Sequence, residues 1–129
     1  MKLQQAIDRV DELRPNMQSR EIKIAALSEL DGLIWRELVK KHWPRPDELE
    51  RFASMPEYDG DTDPGQELLV PFPYDNLYIY WLMSKIDEQT MEQEKYNNDR
   101  AMFNASYESF SDYWTREHMP KTRVRELRI

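Results

Sequence analysis

The chain has 129 residues, no cysteine and a net charge of -7. This length suits one domain with a single core, and the lack of cysteine excludes disulfides and thiolate metal sites. The negative charge argues against wrapping of nucleic acid, which needs clustered Lys and Arg. The longest apolar run, Leu77 to Met83, is far shorter than a membrane-spanning helix, which needs about 20 residues. The N-terminal segment has no signal-peptide pattern. We therefore expect a cytoplasmic protein by default.

The first third of the chain predicts two helices. Apolar residues recur at three- and four-residue spacing from Leu3 to Leu13, and Pro15 prevents continuation, so the first helix is predicted over 2–14. Ser19 is a suitable N-cap for a second, longer helix whose apolar positions continue to Leu38. That helix is expected to stop before Trp43 and Pro44.

Gly32 lies inside the second predicted helix, where glycine costs roughly 1 kcal/mol relative to alanine. Two interpretations stay open. The glycine is either tolerated without a special role, or it permits a close helix crossing under Trp81 or Phe110.

A long acidic loop is predicted over about 44–73. Between 44 and 67 there are eight carboxylates and two arginines, together with prolines and two glycines. The apolar cluster Leu68 to Val70 suggests one short extended piece. Because long loops inside compact domains are usually functional or disordered, we interpret this loop as a candidate contact surface.

The second half of the chain predicts the centre of the core. Eleven of the fifteen aromatic residues lie between Phe72 and Trp114. A third helix should open at Pro73 and Asp75, with two turns that are apolar on every side, as in an enclosed helix. It is expected to continue as a polar helix past Ile86 to a cap, bend or hinge at 97–99.

The fourth predicted helix ends before Pro120 and carries an aromatic stripe. Core packing is the favoured interpretation, because base-stacking platforms are interleaved with Lys and Arg whereas acids flank this stripe. Any buried hydroxyl of Tyr74, Tyr78 or Tyr80 needs a partner, so some of these residues are expected at the surface or an interface. The stripe comprises Phe103, Tyr107, Phe110, Tyr113 and Trp114.

The predicted fold class is all-α: a four-helix bundle forming a single domain over 1–120, with the long acidic loop between its second and third helices. A basic, extended C-terminal tail follows over 121–129. Its alternating charged and apolar residues allow it to lie on a partner or to add a strand to a partner's sheet edge, and a frayed terminus is the alternative.

No catalytic, cofactor or metal residue is assigned. Asp59, Asp61 and Asp63 have the spacing of a calcium loop, but Pro64 and Val70 stand where its Gly and Glu are required. The carboxylates between 87 and 99 lack the Glu-x-x-His pairs of a bundle metal site. The two histidines, His42 and His118, lie near helix ends and are expected to cap them. Nucleophile-elbow and phosphate-binding glycine motifs are absent from the sequence.

A resemblance supplies a functional hypothesis. PYDNLYIYWLMSKID, followed by YNNDRAMFNASYESFSDYWTREHMP, resembles the C-terminal half of small prophage proteins of the head-tail connector (adaptor) family of tailed phages. LSELDGLIWREL resembles the matching first half. The resemblance covers about 26–120, and the part of the acidic loop over 44–65 has no counterpart in it.

The resemblance implies a non-enzymatic helical bundle without cofactors. Such proteins assemble as a ring, usually dodecameric, beneath the portal and extend the DNA tunnel toward the tail. The implied partners are the portal protein, the next tail-side connector protein and further copies of the chain. DNA would pass through without specific binding, no membrane is involved, and the protein would occur in the host bacterial cytoplasm during assembly and then in the virion.

Two sets of partner-binding residues are predicted. In the family the C-terminal segment reaches the portal, which here assigns Lys121, Arg123, Arg125 and Arg128 to an acidic portal surface. Glu92, Glu94 and Arg100 are predicted to make lateral contacts, on exposure and charge alone. The loop over 57–70 would face neighbouring subunits or the next ring. Near the channel its charge would repel DNA and keep it sliding, whereas on the outer rim it would not.

The competing hypothesis is a small acidic binding module, such as an antitoxin-like regulatory protein that covers a basic partner. An enzyme is the third and weakest hypothesis, which a bound metal or a clustered pair of buried carboxylates in one cleft would favour.

Overall fold

The computed structural model describes residues 1–121 and contains four α-helices and no strand within that range. The helices are α1 (Leu3–Leu13), α2 (Arg20–Ile34), α3 (Asn76–Thr90) and α4 (Gln93–Glu117). A π-helical turn, Trp35–Val39, extends α2, and a 3-10 turn, Pro46–Glu48, lies in the loop. The predicted all-α bundle is confirmed.

The first two helices begin and end close to their predicted positions. Ser19 caps α2, and its hydroxyl oxygen accepts a hydrogen bond from the Ile22 amide at 3.3 Å. The buried face of α1 consists of Leu3, Ala6, Ile7 and Val10, four of the five apolar positions of its period, whereas the fifth, Leu13, is exposed.

Helix α3 is the central element and contacts α1, α2 and α4. Its first turns are buried at Leu77, Tyr78, Ile79, Trp81 and Leu82, as predicted for an enclosed helix. Phe103, Phe110 and Trp114 of α4 are buried against it, so the aromatic stripe belongs to the core. The core-packing interpretation of the stripe is therefore confirmed.

The predicted break at 97–99 is wrong. Helix α3 ends at Thr90, and Met91 adopts a left-handed conformation with φ 61°. The Glu92 amide then donates to the Asp87 carbonyl at 3.0 Å, which closes the helix end in a Schellman-type turn. Asn97 and Asn98, whose residue type favoured a break at that point, lie inside α4. The turn between α3 and α4 is instead formed at Met91.

Gly32 does not mark a helix crossing. A Cβ built at this position would lie 3.5 Å from the Met55 sulfur, an ordinary van der Waals contact with the loop, and it would meet neither Trp81 nor Phe110. The interpretation of a close crossing is wrong, and that of a tolerated glycine is confirmed.

The segment between α2 and α3 packs on the bundle over part of its length. Leu68, Leu69 and Val70 are buried. Close to them, the Leu3 amide donates to the Gln66 carbonyl and the Leu68 amide to the Met1 carbonyl, both at 2.9 Å. These bonds form the one short extended piece that was expected in the loop.

Candidate interaction surfaces

The turn between α3 and α4, residues 87–96, forms one end of the bundle and is called the elbow here. It surrounds an open cleft of about 530 Å³ that is lined by Asp87, Glu88, Met91, Glu92, Gln93 and Tyr96. Met91 is 89% exposed, although it is a large apolar side chain. The elbow therefore combines an apolar tip with surrounding carboxylates.

Beneath the elbow, two buried aspartates share one arginine. Arg14, the residue after α1, donates to Asp87 of α3 and, at 2.5 Å, to Asp99 of α4. Burial and the adjacent Asp99 carboxylate raise the pKa of Asp87 to about 6, against the opposing effect of Arg14. The three residues tie the C-terminal end of α1 to both helices of the hairpin.

Asp87 is only partly satisfied within residues 1–121. Its side chain is 1% exposed, and Oδ1 has no hydrogen-bond donor among those residues. A buried carboxylate oxygen without a donor is costly, and Arg14 offsets that cost only at Oδ2.

The predicted lateral-contact residues lie in and beside the elbow. Glu92 and Glu94 are exposed and form no salt bridge with any residue that the structure describes. Arg100 differs, because its half-buried guanidinium stacks 5.0 Å from the Trp81 ring and 5.5 Å from that of Phe103. Its positive charge is thus partly engaged within the subunit.

The opposite end of the bundle is basic. Here the segment after α4 pairs with the segment after α2: the Trp43 amide donates to the Met119 carbonyl, and the Lys121 amide to the Lys41 carbonyl, both at 2.9 Å. Trp43 is 54% exposed and Met119 59%. The Lys121 ammonium lies 5.0 Å from the centre of the Trp43 ring. We call this surface, residues 40–45 and 116–121, the basic end.

Lys121 is the only predicted tail residue within the described range. Arg123, Arg125 and Arg128 lie outside it, so the predicted portal-binding set is located only at its first member.

Both histidines cap helix ends, as predicted. His42 Nδ1 lies 2.7 Å from the Leu38 carbonyl, and His118 Nδ1 lies 2.9 Å from that of Trp114. His118 also stacks on Trp114 with ring centroids 3.7 Å apart, and its Nε2 lies 2.7 Å from Glu48 Oε1. This arrangement fixes the basic end and leaves both ring nitrogens of His118 engaged.

A buried network attaches the loop to the core. Asp31 is fully buried and accepts hydrogen bonds from the hydroxyls of Tyr58 and Tyr78, each at 2.6 Å, and from the Leu69 amide at 3.0 Å. The Val70 amide in turn donates to the Tyr78 hydroxyl at 2.8 Å. Burial raises the pKa of Asp31, and the three donors oppose that rise.

The same network accounts for one tyrosine hydroxyl that was expected to need a partner. Tyr78 is buried and satisfied inside the subunit, whereas Tyr74 and Tyr80 are half-buried. Burial and the nearby Asp31 charge raise the pKa of Tyr78 well above its ordinary value, so this hydroxyl stays protonated and acts as a structural donor.

The exposed part of the loop forms local turns. Asp59 Oδ1 accepts a hydrogen bond from the Asp61 amide, and Asp63 Oδ1 accepts one from the Gly65 amide, both at 2.8 Å. These aspartates cap their own backbone. Over residues 1–121, no group of three or more His, Asp or Glu side chains is placed to hold a metal ion.

Two grooves flank α2 at Leu33, a feature that the sequence did not reveal. One, of about 540 Å³, lies between α2 and the loop at Met55 and Tyr58. The other, of about 260 Å³, lies between α2 and α4 at Trp81 and Phe103. Leu33 between them is 46% exposed.

Within the described part of the chain, every helix is too short or too polar to cross a bilayer. Comparisons with protein-family models, curated proteins and solved structures find no match for this chain.

Proposed function

We propose that this protein is a structural subunit of a head-tail connector ring, which joins the portal of a tailed phage to the tail. The proposal rests on the resemblance over about 26–120. Its two matched segments, separated in sequence by the acidic loop, belong to one core: Leu27, Leu30 and Ile34 of the first are buried in the same cluster as the α3–α4 hairpin of the second. The residues that carry the resemblance thus form much of the core, which α1 and residues 68–70 outside those segments complete.

A ring needs two different surfaces on each subunit, because its contacts are heterologous. The subunit has such a pair in the elbow and the basic end, which differ in charge and each expose large apolar side chains. In the proposed ring, Glu92, Glu94 and the accessible part of Arg100 take part in lateral contacts. Lys121, Arg123, Arg125 and Arg128 bind an acidic surface of the portal.

The proposed role is non-enzymatic and needs no cofactor. The partners are the portal protein and the next tail-side connector protein, and assembly takes place in the host bacterial cytoplasm before the ring becomes part of the virion. The net charge of -7 suits a channel through which DNA passes without specific binding, since like charges repel the phosphate backbone.

Binding to the portal protein of the same genome tests this proposal. The full-length chain is compared with a version ending at Pro120, by calorimetry against the assembled portal. We expect the full chain to bind at ring stoichiometry and the shortened chain to lose most of its affinity. If neither version binds an assembled portal, the connector proposal fails, and tight binding of a basic protein by a dimer would instead favour the acidic regulatory module.

A further inference from the structure

The elbow and the basic end are complementary in charge. The elbow, residues 87–96, contains four carboxylates and one lysine, whereas residues 40–45 and 116–121 together contain five lysines and arginines and one glutamate. Glu88 and Glu92 at the elbow and Lys40 and Arg116 at the basic end form no salt bridge within residues 1–121, whereas Lys41 forms an exposed one with Glu37 at 3.3 Å. Each surface therefore has charges available for a partner of opposite sign.

The two surfaces cannot meet within one subunit. Helix α4 separates them: the elbow lies at its N-terminus, and the basic end follows its C-terminus at Glu117. A helix of 25 residues is about 37 Å long, far beyond the reach of a lysine side chain. Any contact between them joins two copies of the chain.

The carboxylates beneath the elbow are only partly neutralised within the described residues. Asp87 lines its cleft, is 1% exposed and has no donor to Oδ1 within the described residues. Arg14 supplies one positive charge to Asp87 and Asp99 together, so the buried group retains a net negative charge. Lysine is a flexible point charge that suits such a cleft.

Apolar residues complete the match. Met91 projects from the elbow, and Trp43 and Met119 are exposed at the basic end. Interfaces of measurable affinity commonly place Trp and Met at the centre and charged residues at the rim. Met91 against Trp43, surrounded by carboxylates on one side and lysines on the other, has this composition.

We infer that copies of this protein associate head to tail, with the acidic elbow of one copy receiving Lys40 and Lys41 of the next. The inference rests on the proposed function in one respect: if the connector ring forms, this contact is the lateral contact that Glu92 makes in it. It assigns the elbow to a second copy and leaves Lys121 and the tail that follows it for the portal.

Zero-length cross-linking tests the contact directly. A carbodiimide joins a lysine only to a carboxylate that it touches, and an equal mixture of unlabelled and ¹⁵N-labelled full-length chains identifies links between copies. We expect mixed-isotope links between Lys40 or Lys41 and Glu88 or Glu92, at high protein concentration and low salt. Raising the ionic strength to about 0.5 M should reduce them.

Charge reversal separates a specific contact from random collision. E88K/E92K and K40E/K41E should each weaken self-association at least about tenfold, because each creates like-charge contacts. A chain carrying all four substitutions restores opposite charges and should recover both the association and the links. Glu108→Lys, in the exposed middle of α4, is the matched control and should leave them unchanged. Thermal unfolding of each variant checks that it is folded.

The inference is overturned if about 1 mM protein at low salt gives no mixed-isotope links, which corresponds to an affinity weaker than millimolar. It is also overturned if the fourfold variant associates no better than the twofold ones. Portal binding is measured separately on the same variants. Portal binding without these links would retain the connector proposal and reject this contact, whereas the reverse result would retain the contact and reject the connector.

Discussion

At the scale of single residues, two buried polar groups connect distant parts of the chain. Asp31 joins α2 to the loop and to α3, and Arg14 joins α1 to the hairpin. Each is expensive to leave unsatisfied, so each favours one arrangement of the helices over alternatives with the same apolar contacts.

Replacing Tyr78 with phenylalanine should destabilise the protein by about 1 to 3 kcal/mol. The substitution removes the donor to Asp31 and the acceptor for the Val70 amide, and it leaves both groups buried. The measurement is the free energy of urea unfolding. Tyr113→Phe is the control, because its half-buried ring stacks on Tyr74 and its hydroxyl has no hydrogen bond within residues 1–121. Equal losses of unfolding free energy in Tyr78→Phe and Tyr113→Phe would contradict a stabilising role for the hydrogen bonds of Tyr78.

Asp87 gives the protein a testable pH dependence. Its pKa is raised to about 6 in the folded state, from an ordinary value of 3.8, so the folded state binds more protons than the unfolded state between those values. The contribution of Asp87 to stability therefore falls as the pH rises from about 4 to 6.

Asp87→Asn should remove this dependence. The stability of the wild type relative to the variant is expected to decrease from pH 4 to pH 6, as measured by urea unfolding at each pH. Glu88→Gln removes an exposed carboxylate one position along and serves as the control. If the difference in unfolding free energy between the wild type and Asp87→Asn is constant from pH 4 to pH 6, the pKa of Asp87 is not raised.

At the scale of helices, elements marked by a periodic apolar pattern or a capping residue were predicted correctly. The one helix end that depends on the backbone conformation of a single residue was not. The apolar spacing of α1, the Ser19 cap and the aromatic stripe of α4 all follow local rules, and all were found. The α3–α4 turn was missed because methionine is an unusual residue for a left-handed position, and no Gly or Pro marks it.

Met91→Gly should stabilise the protein by about 0.5 to 1 kcal/mol. Glycine adopts a positive φ without steric cost, and Met91 is 89% exposed, so little packing is lost. The measurement is the midpoint of denaturant unfolding. Met102→Gly, within α4, should instead destabilise by about 1 kcal/mol. A loss of stability in Met91→Gly would contradict the left-handed turn.

At the scale of the whole molecule, the sequence indicated which residues carry charge but not where those charges meet. Lys40 and Lys41 precede the acidic loop, whereas Arg116 lies in the last turn of α4 and Lys121 follows that helix, so only the fold unites them as the basic end. The elbow likewise depends on Arg14, which follows α1, whereas its two aspartates lie in α3 and α4. Pairings over such sequence distances leave no local pattern from which they could be inferred.

Electron cryomicroscopy of the portal mixed with an excess of the full-length chain would make the proposed ring visible. We expect a closed ring of helical subunits on one face of the portal, coaxial with its channel and wide enough to pass duplex DNA. Portal particles without added density, or with single copies bound at scattered positions, would contradict it.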